Sequence, residues 1–101
     1  MLKTNEETMD AYKQKARAYL KEMKARMQIV EAHAEKAGAD MKIKYQKNID
    51  DWKSRFSDIE TRLDKLSDST GDAWKDIRSG IDSAMNELNN TIENAKKQVN
   101  N

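Results

Sequence analysis

Apolar residues recur every three or four positions along nearly the whole chain, from Met9 to Val99. Steps of three or four residues visit 26 positions in this span, and all except Thr70 are apolar. The mean step of about 3.6 residues equals the pitch of an undistorted α-helix, so these positions share one side of a helix; we call this stripe the seam. The pattern predicts long helices that pack almost straight, with little supercoil.

Two stretches interrupt the helical pattern. The segment 67–71 is rich in residues that favour turns and helix caps, and it contains Thr70, the one polar position of the seam. We therefore predict one helix over about 5–66, a turn over 67–71 and a second helix over about 70–99. Gly38 is the other candidate break. Because the seam runs through it without interruption, we predict a continuous helix there, with three helices of about 30 residues as the alternative.

A helix of about 60 residues cannot leave a continuous apolar stripe in water, so the seam must be covered. Fold-back of the chain and association between copies would each cover it, and we expect both. Residues 1–50 carry 11 basic and 8 acidic side chains, and residues 51–101 carry 8 and 10, which weakly favours antiparallel pairing. The predicted fold is all-α, an elongated helical hairpin or coiled coil that forms a single domain over 1–101.

Composition excludes most chemistry. The chain of 101 residues has no cysteine, so disulfides, zinc–thiolate sites and thiol nucleophiles are absent. It shows no secretory signal pattern and no apolar run of about 18 residues, so we expect a soluble, cytoplasmic protein. The single histidine, His33, has no partner at a metal-binding spacing. We expect no enzyme activity, no catalytic residues, no cofactor, no metal and no small-molecule substrate.

A row of basic residues lies beside the seam in the first third of the chain. On a helix it could contact the phosphates of lipids or nucleic acids, although such rows also flank ordinary coiled coils, which is the interpretation we favour. The sequence pI of about 7.9 argues against nucleic-acid binding. The candidate anion-contact residues are Lys13, Arg17, Lys21 and Lys24.

Three segments resemble a family of short bacterial coiled-coil proteins linked to stress response. They are 41–49, 63–66 and 71–81, and the most specific part is Gly71-Asp72-Ala73-Trp74. Members share an Ala-rich helix, a Tyr-x-x-x-Ile element and a Ser-Gly-Asp-Ala-Trp turn; this chain has Thr70 where the family has serine. The resemblance covers about residues 8–95. It implies a non-enzymatic role in stress and supplies no catalytic residues.

These observations predict a non-enzymatic interaction or structural protein that buries its seam against copies of itself or against partner helices. The alternative is a conditional amphipathic helix that covers membranes or exposed hydrophobic surfaces. Methionines in the seam suit an adaptable contact surface, although they also serve as ordinary core residues. The seam residues that we expect to mediate interaction are Met23, Met27, Met41, Tyr45, Ile49, Trp52, Phe56, Ile59, Leu63, Leu66, Trp74, Ile77, Ile81, Met85, Leu88 and Ile92.

Overall fold

A computed structural model describes residues 5–69 and 71–100 of the chain. Three helices make up almost all of this part: α1 (Asn5–Ala37), α2 (Ala39–Lys65) and α3 (Ala73–Asn100). They form an elongated body of 55 × 23 × 15 Å. The predicted all-α, elongated fold class is confirmed. None of the helices in the described part of the chain combines the length and apolarity that a membrane span requires.

The three helices run up, down and up again. Side-chain pairs between α1 and α2 progress in opposite directions along the chain, from Arg17–Asp64 to Glu31–Lys53. Pairs between α1 and α3 progress in the same direction, from Tyr12–Asp82 to Arg26–Glu93. Helix α1 therefore packs antiparallel to α2 and parallel to α3. The seam residues of all three helices meet between them in one hydrophobic cluster, so fold-back within one chain covers the seam.

The chain bends at Gly38, where we predicted a continuous helix over 5–66; that prediction is wrong, and the three-helix alternative is the observed one. Gly38 alone separates α1 from α2. Its φ of 116° lies in a region that L-residues with a side chain rarely adopt. The absence of Cβ lets one residue reverse the chain, and the seam continues on both sides because each helix needs it for packing.

The second connection lies where the sequence predicted it, with boundaries shifted by a few residues. Helix α2 ends at Lys65, one 3₁₀ turn covers Leu66–Asp68, and α3 begins at Ala73 rather than near residue 70. Gly71 has a φ of 59°, which again suits glycine. Thr70 lies outside the described residues. Asp76 occupies the first turn of α3, where the helix dipole favours an acidic side chain.

Candidate functional site

The seam occupies the centre of the bundle and is the main candidate site. All but two of the predicted interaction residues are buried; Met41 is half-buried and Ile77 is 37% exposed. The closed bundle therefore leaves Ile77 partly uncovered, and its role in an interaction stays a prediction. Ile77 lies near the beginning of α3, between Trp74 and Ile81, which are both buried. The buried residues hold the chain's own helices together.

Leu20 is a core residue that the sequence interpretation missed. It is only 3% exposed, yet it lies off the predicted seam, which passes through Tyr19. Ala16 and Met23 can be joined through either residue, since both routes consist of steps of three and four. Helix α1 packs against α2 and α3 together, so its buried face is wider than one line of residues. The alternative steps from Ala16 to Leu20 to Met23 were the sequence signal that could have identified Leu20 as a core residue.

Among the described residues, the core consists of aliphatic, methionine and aromatic side chains. No polar or charged side chain among the described residues is buried. Two buried aromatic residues bring polar atoms with them: the Tyr45 hydroxyl donates to Gln98 Oε1 at 3.2 Å, and the indole Nε1 of Trp74 is buried without a hydrogen-bond partner. Within the same residues, no cluster of three or more histidine, aspartate or glutamate side chains could hold a metal ion. The site therefore offers mainly apolar contact area, with few polar atoms that could fix the register of a partner.

A cluster of four side chains joins the beginning of α1 to the beginning of α3. The Tyr12 hydroxyl donates a hydrogen bond to Asp82 Oδ1 at 2.7 Å. The rings of Tyr12 and Trp74 lie 6.5 Å apart between centroids. The Arg78 guanidinium lies over both rings, at 5.1 Å from Tyr12 and 5.9 Å from Trp74, a favourable cation–π arrangement. Sequence reasoning missed this cluster because Tyr12 is more than 60 residues away from the other three members.

Burial of the Tyr12 side chain raises its pKa, and the hydrogen bond and negative charge of Asp82 raise it further, while Arg78 opposes the shift. A tyrosine whose folded pKa lies above its unfolded value stabilises the fold below about pH 10, and this contribution is lost as pH rises further. We expect the free energy of unfolding to fall above pH 10, and to fall less in a Tyr12→Phe variant. Urea unfolding of both proteins at pH 8, 10 and 11 checks this. An equal fall in the free energy of unfolding with pH in the two proteins would contradict it.

The candidate anion-contact residues are largely engaged within the molecule. Lys13 Nζ donates to the Ser67 hydroxyl at 2.9 Å, and Arg17 Nη2 pairs with Asp64 Oδ1 at 2.7 Å. Lys24 pairs with Glu60 and also lies over the Phe56 ring, 5.7 Å from its centroid. The row thus flanks the seam and faces acidic residues of α2.

Lys21 is exposed. It does not extend the row into a continuous positive surface, because the neighbouring cations already face carboxylates or a hydroxyl. This arrangement agrees with the interpretation of the row as the charged border of a helix interface. The anion-contact role stays a prediction that no contact in the structure supports.

Comparisons with known proteins add no assignment. No family model, curated protein or solved structure matches the chain. The family resemblance of the Gly71–Trp74 segment, and the link to stress that it implies, therefore stay predictions.

Proposed function

We propose that the protein is a non-enzymatic helical interaction protein that acts by exchanging contacts between its own helices for contacts with a partner helix. The observation that supports this most is that, among the described residues, the seam buries no charged or amide side chain. A buried polar residue is a common device for fixing the register and partner of packed helices, and the described core has no such side chain. Another helix with the same stripe could replace one of the three.

The contacts outside the seam oppose such an exchange only weakly. The ion pairs that join α1 to its neighbours involve Arg17, Lys24, Arg26 and Lys53, whose side chains are 36–56% exposed. Exposed pairs of this kind contribute roughly 0–1 kcal/mol each. The seam therefore supplies most of the affinity between helices, and an incoming helix needs little beyond an apolar stripe of matching period.

The composition of the seam also suits varied partners. Met23, Met27 and Met85 are all buried in it, and the flexible thioether side chain adapts to irregular neighbours. The family resemblance adds a role under stress to this proposal. We also propose a cytoplasmic location. The chain contains no cysteine, so its fold does not depend on a disulfide.

Helix exchange can be tested with a fluorescent peptide that carries residues 9–37 and is added to the full-length protein. We expect saturable binding, seen as a rise in fluorescence anisotropy, because the peptide competes with the chain's own α1. A peptide with Met23→Asp and Met27→Asp should bind at least ten times more weakly. The substitutions sit in the peptide, so the protein keeps its fold.

The matched control is a peptide with two exposed positions changed, Lys21→Ala and Glu22→Ala, which should bind like the original. Absence of binding at every temperature up to the midpoint of thermal unfolding would contradict helix exchange. Equal binding of the aspartate-substituted peptide would show that contacts other than the seam carry the interaction, and it would contradict the proposal as well.

A further inference from the structure

We infer that Gly38 is a hinge at which two copies of this chain exchange α1, forming an antiparallel dimer in which residues 5–65 become one continuous helix. The inference rests on the proposed helix exchange and names its partner, a second copy of the chain. The proposed open conformation, with a continuous helix over 5–65, differs from the closed bundle, in which the chain bends at Gly38.

The connection at Gly38 is the shortest that can separate two helices. Its amide donates to the carbonyl of Glu35 at 3.3 Å, and its carbonyl accepts from the amide of Lys42 at 3.0 Å. No side chain caps the beginning of α2, so the bond from Gly38 to Glu35 is the only substitute for the helical hydrogen bonds that the bend interrupts among the described residues. Both neighbours of Gly38 are alanines, the residue with the highest helix propensity. Straightening would restore those backbone bonds.

The seam permits a continuous helix. At about 100° per residue, the buried residues of α1 and those of α2 fall within one sector of about 100° when numbered along an unbroken helix. Ala34 and Tyr45, the buried residues nearest the hinge on each side, differ by about 20° on this scale. A straight helix over 5–65 would therefore present one uninterrupted apolar stripe, about 90 Å long, to a second copy.

Two seam positions beside the hinge are incompletely covered in the closed bundle. Ala37 is exposed and Met41 is half-buried, although both lie on the apolar stripe. The ion pairs between α1 and α2 indicate what would cover them: Arg17–Asp64, Lys24–Glu60 and Glu31–Lys53 all have their midpoints between residues 40 and 42. An antiparallel dimer that keeps this register has its twofold axis at Met41, where the two chains would bury these positions against each other.

The exchange needs no new binding surface. The contacts that α1 makes away from the hinge in the closed bundle, including Tyr12–Asp82 and Arg26–Glu93, are reproduced between chains in the dimer. This is the usual logic of domain swapping, in which a short hinge favours the open form. The dimer is stabilised by the helical hydrogen bonds restored at each hinge and by the burial of the apolar stripe beside it. Both contributions oppose the entropic cost of association.

Gly38→Ala tests the hinge, with Gly80→Ala as the matched control. Alanine strongly disfavours a φ of 116°, the value at Gly38, and it favours a straight helix. We expect the Gly38→Ala protein to be dimeric, by size-exclusion chromatography with light scattering, at concentrations where the wild type has its monomer mass of 11.7 kDa. The dimer dissociation constant should fall at least about tenfold. Gly80 lies inside α3, where an added Cβ would meet only open space, so its replacement should leave the mass unchanged.

A cross-link distinguishes a swapped dimer from any other dimer. Unlabelled and ¹⁵N-labelled chains are mixed, unfolded, refolded together and treated with a carbodiimide, which couples Lys24 to Glu60, an ion pair between α1 and α2. The swapped dimer predicts that roughly half of the linked peptide pairs join a heavy chain to a light one, as random pairing requires. A non-swapped dimer predicts links within single chains only.

A folded, monomeric Gly38→Ala protein would overturn the inference, and so would a dimer that contains only links within single chains. If Gly38→Ala does not fold, the wild type refolded at high concentration takes its place, and the absence of heavy–light links there overturns the inference equally. Peptide binding combined with a monomeric Gly38→Ala protein would remove the hinge dimer and leave the proposed helix exchange standing.

Discussion

Replacing Ile59 by aspartate is expected to unfold the bundle, whereas the same substitution at Ile43 leaves it folded. Both residues lie in α2, but Ile59 is 1% exposed and Ile43 is 73% exposed. A charge at position 59 would have no partner in an apolar core, and the lost apolar contacts add to its cost. The expected loss is about 5 kcal/mol, which is comparable to the whole stability of a small domain.

Circular dichroism at 222 nm with urea unfolding provides the measurement for this pair. The Ile59→Asp protein should lose most of its helical signal in plain buffer, or unfold at a much lower urea concentration. The Ile43→Asp protein should differ from the wild type by less than about 0.5 kcal/mol. Equal tolerance of aspartate at both positions would show that the seam is not the structural core.

Truncation of Trp74 to alanine has the second largest expected effect. The side chain is 1% exposed and packs near Tyr12 beneath Arg78. Removing a buried tryptophan costs about 3–5 kcal/mol, and the release of its unpartnered Nε1 returns part of that amount. We expect a net loss of about 3 kcal/mol and a fall in Tm of about 12 °C or more, which thermal unfolding monitored by circular dichroism measures.

Two control variants separate packing from other effects at this end of α3. Trp74→Phe keeps most of the ring and removes the unpartnered Nε1, so it should change stability by less than about 1.5 kcal/mol. Ile77→Ala changes a residue that is 37% exposed and should cost well under the loss at Trp74. A Trp74→Ala protein as stable as the wild type would contradict the position of this indole in the core.

The elements and most of the core could be predicted because they depend on local sequence. A seam with the period of the α-helix defines three amphipathic helices, and turn-forming residues at 67–71 mark one connection. Gly38 shows the limit of this reasoning. A single glycine can lie inside a straight helix at a cost of about 1 kcal/mol relative to alanine, and it can also reverse the chain at positive φ. Only the packing of α1 against the rest of the chain decides between these two conformations.

The polar contacts between helices could not be predicted, because they join residues that are distant in sequence. Arg26 illustrates this. Its spacing from Glu22 favours an ion pair along one helix, but the structure directs it to α3, where it pairs with Glu93 at 3.6 Å and donates to Asn89 at 2.8 Å. The Tyr12–Asp82 hydrogen bond depends in the same way on how the helices are placed, which a periodic pattern leaves open.

X-ray scattering at small angles, combined with light-scattering mass and extrapolated to zero concentration, tests the central claim that one chain covers its own seam. The account predicts a monomer of 11.7 kDa with a radius of gyration close to 16.3 Å. An unfolded chain of this length would give about 30 Å. A monomer near that value, or a species that remains dimeric at the lowest concentrations, would contradict fold-back as the means by which the seam is buried.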